Sequence, residues 1–218
     1  MKLCLITEYF PESEKGELRG GVESRCYHIA QELSKKHTVY IITSSEKEDA
    51  VREYRIGRIK VISCCKHRYT HEGAFLSRLR FAWRAYRLWP LLEEKGIDLV
   101  DGQNFICCVP AYFAARKLHI PTVATYHEVW VGEWIRNKGI GTGMLGEVWE
   151  RFVLKLSWNK IITVSHFTKD RLLQQGIREK DVAVVHNGVD LKKYKQYKHQ
   201  RKVGKFSRPT ICCISRLT

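Results

Sequence analysis

The sequence predicts an α/β fold, a doubly wound parallel sheet wrapped by helices on both faces. Short runs rich in branched apolar residues are nearly continuous rather than alternating, as strands covered on both faces require. Stretches with helical spacing separate most of these runs, the alternation that builds βαβ units. Glycine, proline and capping residues fall at the joints.

Taken in order, LCLIT at 3–7 is the first strand. A loop over 8–19 delivers Gly20 and Gly21 to a helix over 22–36, and TVYIIT at 38–43 is the next strand. A strand at 60–64 precedes a long helix at 74–95, which Gly96 stops ahead of a short strand at 98–100. A helix at 109–118 follows, and Pro121 opens a strand at 122–126. After a helix at 144–158 and a strand at 161–164, Ser165 reads as the N-cap of a helix at 169–175, closed by Gly176 ahead of a strand at 182–185. Residues 1–191 are expected to form one domain. The run KKYKQYKHQRKVGKFSR at 192–208 is dense in positive charge, lacks apolar periodicity and reads as a linker. PTICCISRLT at 209–218 reads as a strand opening a further βαβ unit, so the chain is expected to be the front part of something longer.

At 218 residues and 44% hydrophobic, the chain can bury a sizeable core. Charge interrupts every apolar run well short of a membrane span, so neither a signal peptide nor a transmembrane helix is expected. The eight cysteines include adjacent pairs at 64–65, 107–108 and 212–213, whose neighbouring strand positions should face opposite ways. No pair has zinc-site spacing, so core thiols in a reducing cytosol are expected and no metal site. The net charge of +15 favours anionic partners: nucleic acid, phosphorylated ligands or acidic lipid headgroups. Neither G-x-G-x-x-G nor a P-loop is present, which counts against a dinucleotide dehydrogenase or a P-loop NTPase.

In an open parallel sheet, ligands bind beyond the carboxyl ends of the strands. Gly20 and Gly21 stand there at a helix N-terminus, where bare backbone N–H groups and the helix dipole favour a diphosphate; the alternative is a flexible turn. His127 follows the strand PTVATY and precedes Glu128, and can donate a hydrogen bond, transfer a proton or serve structurally. VVHNGVD at 184–190 places Asn187-Gly188 as a sharp turn and carries Asp190 toward the same edge. His166 opens a helix, where capping accounts for it. On the helix at 74–95, Arg80, Arg84 and Arg87 share one face opposite Phe81, Ala85, Trp89 and Leu92, with Trp83 and Leu76 flanking the arginines. Such a helix either lies on an acidic membrane surface or packs its apolar face on the sheet with its arginines in water.

Taken together, GGVES, LSKKHTVYIIT, DLVDGQN, IPTVATYHE, ITVSHFTKD and VVHNGVDLKKY resemble the N-terminal half of glycosyltransferase family 4, retaining enzymes of the GT-B fold. The resemblance covers essentially the whole chain, and the ordered pair ITVS and HNGVD is its most specific part. It implies two Rossmann-like domains facing across a cleft, with the nucleotide sugar held mainly by the C-terminal donor domain and the acceptor by the N-terminal one. It implies that Gly20 and Gly21 approach the donor diphosphate and that His127 contacts the transferred sugar at the reaction centre. Glu128, Ser165, Asn187, Gly188 and Asp190 are expected to line the acceptor cleft or its crossover turn. The implied reaction needs no metal and moves a hexose from a nucleotide sugar to a lipid-linked, glycan or small-molecule acceptor with retention of configuration. Ser215 departs from the family's glycine at the start of the second domain, and the family's acidic pair for the donor has no counterpart. The fragment alone is therefore expected to be inactive. A non-catalytic acceptor-binding module, or a split subunit needing a separate donor-domain chain, is the alternative. Nucleic-acid binding rests on charge alone and is set aside. The expected location is the cytosol, including the inner membrane face.

Overall fold

The computed structural model describes residues 1–13, 18, 20–66, 74–189 and 191. Asp190, the 192–208 linker and the 209–218 strand lie outside the described residues. The strands are β1 (Lys2–Ile6), β2 (Thr38–Ser45), β3 (Arg52–Ile56), β4 (Ile59–Lys66), β5 (Leu99–Gly102), β6 (Thr122–Tyr126), β7 (Lys160–Thr163) and β8 (Val182–Val184). The helices are α1 (Gly21–Leu33), α2 (Ala74–Tyr86), α3 (Trp89–Lys95), α4 (Phe105–Leu118), α5 (Trp134–Lys138), α6 (Ile140–Leu154) and α7 (His166–Gln174). One eight-stranded sheet results, in the order β3-β4-β2-β1-β5-β6-β7-β8. Every pairing is parallel except β3 with β4.

That order decides where a ligand can sit. From β1 the chain moves outward through β2 to β4, then crosses back to place β5 on the other flank of β1. Loops leaving β1 and β5 therefore diverge to opposite sides, and their separation opens a crevice beyond the carboxyl ends of the strands.

The continuous apolar character of the strands follows from burial on both faces. In β2, Tyr40 and Ile42 join a cluster with Phe81, Ala85 and Leu92 of α2 and α3, while Val39 and Ile41 join Cys26, Tyr27 and Ala30 of α1. Around β6 and β7, Ala124, Tyr126 and Ile161 pack with Val153, Leu154 and Leu172 of α6 and α7. The punctuation falls as expected: Gly96 ends α3 at φ 66, Gly176 has φ 86 just past α7, and Ser165 caps α7.

Several local expectations need correction. The helix expected over 74–95 is two helices, α2 and α3. Pro90 has no N–H for the carbonyl of Tyr86, so the first helix closes with the Arg87 and Leu88 amides on Trp83 and Ala85, and proline occupies the first turn of the second. α4 begins at Phe105 rather than 109, because Asn104 Oδ1 accepts from the Ile106 and Cys107 amides at 3.0 and 3.1 Å. β3 had no apolar signal: in REYRI only Ile56 is buried, as suits an antiparallel edge strand. α5 and the start of α6 hide in WIRNKGIGTG, where Gly139 at φ 74 ends one helix and begins the next.

The expectation that adjacent cysteines face apart fails at Cys64–Cys65. Thr43 pairs with Ser63 but Ser45 pairs with Lys66, so one residue of β2 opposes two of β4 in a bulge. Both thiols then enter the same cluster, with Sγ atoms 3.9 Å apart. The six described cysteines are buried and free. Burial pushes the thiols of Cys4, Cys26, Cys107 and Cys108 up, leaving them protonated core groups.

Candidate functional site

A cavity of about 690 Å³ lies where the topology predicts, bordered by the segments after β1, β5 and β6 and by the N-terminus of α1. Gly20, the residue before α1, is extended (φ −136°, ψ 157°) and caps the helix with no side chain; the first intrahelical bond runs from Ser24 N–H to Gly20 O at 2.9 Å. Any residue could adopt Gly20's φ. A Cβ built on Gly21 would meet no described atom within 4 Å. Backbone geometry therefore does not demand glycine at Gly20, and packing within the described residues does not demand it at Gly21. What the pair supplies is bare backbone at the positive end of a 13-residue helix, facing the cavity.

Beside this helix end, the loop after β1 brings in Glu8 and the loop after β5 brings in Asn104. Glu8 is 4% exposed; its Oε1 lies 3.3 Å from Arg78 Nε, and Asn104 Nδ2 donates to its Oε2 at 3.2 Å. Asn104 thus caps α4 with one end of its amide and steadies Glu8 with the other. The Glu8 backbone carbonyl accepts from Ser44 N–H at 3.2 Å and from the hydroxyls of Thr43 and Ser44. The carboxylate is consequently a fixed feature of the cavity edge.

His127 borders the cavity just past β6. Its carbonyl accepts from Thr168 Oγ1 at 3.2 Å, which ties it to the first turn of α7, and among the described residues its Nε2 has no hydrogen-bond partner. Burial, assisted by the charge of Arg25, lowers its pKa to about 4, so the imidazole is neutral at physiological pH. Tyr126, one residue earlier, also borders the cavity, and its buried hydroxyl has no described partner.

Arg25 is itself 8% exposed. Its guanidinium donates to Val185 O at 3.0 Å, His186 O at 3.3 Å and Asn187 Oδ1 at 2.8 Å. On β5, Asp101 accepts from Thr125 Oγ1 at 2.9 Å and Gln103 Nε2 at 2.6 Å; burial pushes its carboxyl up to about 7 despite these donors and the Arg25 charge.

The remaining wall comes from α5 and α6. Trp134 and Trp149 border the cavity with Phe105, whose ring meets Trp134 edge-on at 5.1 Å. Glu150, fully buried, accepts from Trp134 Nε1 at 2.6 Å and from Trp130 N–H at 3.2 Å, and burial pushes its carboxyl up to about 7. Glu147 accepts from Gly132 N–H at 2.8 Å. Two glutamates of α6 therefore hold the loop that follows His127.

The sequence-predicted residues divide. Gly20, Gly21, His127 and Glu128 border one cavity. Ser165 does not; its Oγ accepts from Thr168 N–H at 3.1 Å, so it is spent on the cap of α7. Asn187 is outside the cavity lining too, and is engaged by Arg25. Gly188 is exposed. On α2, Phe81 and Ala85 are buried against the sheet while Arg80, Trp83 and Arg84 are exposed, as is Arg87 just past its end, with Arg80 paired to Asp49 and Arg87 over the Trp83 ring. Glu8, Arg25, Arg78, Asn104 and Trp134 were not singled out from sequence. Only Asn104 carried a local signal, as a capping residue just after a strand.

A bare helix N-terminus at the switch point of an open parallel sheet, beside a neutral histidine, is the ligand-side arrangement of a Rossmann-like domain. Residues 19–193 match Glycosyltransferase Family 4, and the chain belongs to that family. The fold resembles sucrose-phosphate synthase from Thermosynechococcus elongatus at TM-score 0.61 and 14% identity, over 88% of this chain and 49% of that one. It resembles HepE of Anabaena in complex with UDP at TM-score 0.55 and 14% identity, over 89% and 46%. It resembles the lipopolysaccharide outer core galactosyltransferase WaaB at TM-score 0.53 and 18% identity, over 88% and 47%. The chain spans about half the length of these structures, as one Rossmann-like domain of a GT-B protein does. No protein of curated function matches its sequence.

Proposed function

We propose that this chain is the acceptor-side domain of a retaining glycosyltransferase, which moves a hexose from a nucleotide sugar to a lipid-linked, glycan or small-molecule acceptor. The observation that carries it is the meeting of the Gly20–Gly21 helix start and His127 on one cavity at the β1/β5 switch, in a chain of this family. In this scheme the donor is held by a second domain. As the bond from the anomeric carbon to the donor phosphate breaks, the acceptor oxygen bonds to that carbon on the same face. The acceptor proton passes to the departing phosphate. Negative charge grows on the diphosphate, and the α1 N-terminus stabilises it there. His127, neutral, hydrogen-bonds a hydroxyl of the transferred sugar, and Glu128 borders the acceptor. No metal is required in this scheme.

In the full-length protein assayed with a panel of nucleotide sugars, Gly21→Val should lower kcat about a hundredfold, because its side chain occupies the diphosphate's space. Folding stability should change by no more than about 1 kcal/mol, since no described atom lies within 4 Å of the added Cβ. His127→Ala should lower transfer by a similar factor with the fold intact. Near-wild-type kinetics in either variant would remove that residue from the site.

A further inference from the structure

Of the adjacent cysteine pairs in the sequence, Cys64–Cys65 brings its thiols into one cluster and Cys107–Cys108 does not; Cys212–Cys213 lies outside the described residues. On β2, the Ser44 amide turns to the Glu8 carbonyl, while Thr43 pairs with Ser63 and Ser45 with Lys66. The resulting bulge in β4 puts both cysteine side chains in the cluster that holds Phe81 and Ala85 of α2. Cys107 and Cys108, on α4, enter separate clusters, because consecutive residues of a helix diverge by about 100°. The Cys64 thiol donates to Cys65 Sγ at 3.9 Å. That donated bond, with the nearby charges of Arg80 and Arg84, holds the Cys65 thiol below the ordinary range against burial and the charge of Asp49. Donating the bond, and burial, push Cys64 up, so Cys65 is the sulfur that ionises first.

The spacing suits an atom between the sulfurs better than a direct bond. A disulfide closes its sulfurs to about 2.05 Å and spans Cα atoms roughly 4.4–6.8 Å apart, whereas consecutive Cα atoms stand about 3.8 Å apart. A tetrahedral centre bonded to two sulfurs at about 2.3 Å each holds them about 3.8 Å apart, close to the 3.9 Å between Cys64 and Cys65. The ligand set then selects the ion. Structural zinc takes four ligands, and among the described residues no group of three or more His, Cys, Asp or Glu could hold a metal ion. Two thiolates with no further protein ligand suit a soft ion instead. We infer that Cys64 and Cys65 form a two-sulfur site for a soft, thiophilic metal or metalloid ion. Cys65 bonds first and Cys64 closes the chelate. Both thiols are buried, and the next residue, Lys66, ends β4 and is exposed, so the ion enters by opening of this strand end. Neither cysteine borders the cavity, and the site does not rest on the glycosyltransferase reading.

The test treats the full-length protein, carrying Cys212→Ala and Cys213→Ala, with phenylarsine oxide. Two arsenic–sulfur bonds form, the arsenic–oxygen double bond breaks, and both thiol protons leave with the oxygen as water, with no change of oxidation state. The expected result is a phenylarsenic adduct on the folded chain, placed by peptide mass spectrometry on the segment holding Cys64 and Cys65. A small 1,2-dithiol should release it, and a monothiol at the same concentration should not. Cys64→Ala and Cys65→Ala should each raise the reagent concentration for half-modification about a hundredfold, since a single sulfur forfeits the chelate. Cys107→Ala, at an equally buried thiol, should leave that concentration unchanged. The peptide placement needs no substitution at 64 or 65, so it decides the matter even where an alanine there impairs folding. Modification only after unfolding in urea, an adduct on the peptide holding Cys107 and Cys108 instead, an adduct that forms as readily in Cys65→Ala, or release by the monothiol would each overturn the site.

Discussion

His127 shows how one side chain's chemistry is set by neighbours distant in sequence. Burial withdraws its ring from water and Arg25 adds positive charge nearby, so its pKa falls from 6.5 to about 4. The unfolded chain therefore binds a proton that the folded one refuses between about pH 6.5 and 4, and stability from this group is lost as pH falls through that window. Asp101 and Glu150, both raised to about 7, act in the opposite sense, gaining stability as pH falls from 7 toward their unfolded values. Comparison with His127→Gln cancels those terms. Wild type should lose on the order of 2 kcal/mol relative to the variant between pH 7.5 and 4, read by urea unfolding at each pH. A difference that stays flat with pH would mean that the ring is not held neutral.

At the scale of elements, the α5–α6 pair depends on which glycine is which. A Cβ on Gly146 would lie 2.4 Å from the Trp134 ring, and one on Gly143 would lie 2.6 Å from the Ile135 backbone. A Cβ on Gly141 would meet no described atom within 4 Å. Gly143→Ala and Gly146→Ala should each cost about 1–3 kcal/mol by overpacking, whereas Gly141→Ala should gain a few tenths to about 1 kcal/mol from helix propensity. Thermal melts of the three variants check this, and a stabilising Gly146→Ala would show that Trp134 is free to move. Because Trp134 is also pinned to Glu150, the cavity wall should deform with the same substitutions.

Across the whole molecule, Arg25 joins the start of the chain to the end of the described sheet, donating to residues 160 to 162 positions away. Arg25→Ala leaves Asp101 buried without its nearby cation and removes the donors to the segment after β8. It should cost about 3 kcal/mol or more, and amide exchange at 182–187 should accelerate ahead of the rest of the sheet. Arg25→Lys should recover little, since an ammonium cannot fork to the same partners. Unchanged exchange at 182–187 in Arg25→Ala would deny the residue its bridging role.

Much of the fold was legible from local pattern. Strands buried on both faces read as continuous apolar runs, and Gly96, Gly176 and Ser165 marked their boundaries because each meets a backbone requirement that few residues satisfy. The failures have physical causes: β3 is a polar edge strand, α5 is one short turn between glycines, and Pro90 interrupts a pattern whose apolar spacing continues across the break. Gly20, Gly21 and His127 were legible as candidates because each stands at the carboxyl end of a strand, where an open parallel sheet receives ligands. Glu8 and Asn104 meet from 96 positions apart, and Arg25 and Asn187 from 162. Sequence alone determined the alternation of strand and helix, since periodicity and capping act over a few residues. Only the tertiary structure decided which strand ends meet at one cavity, which arginine sits beside His127 and which helix face is left bare, because those depend on strand order and on packing across the sheet.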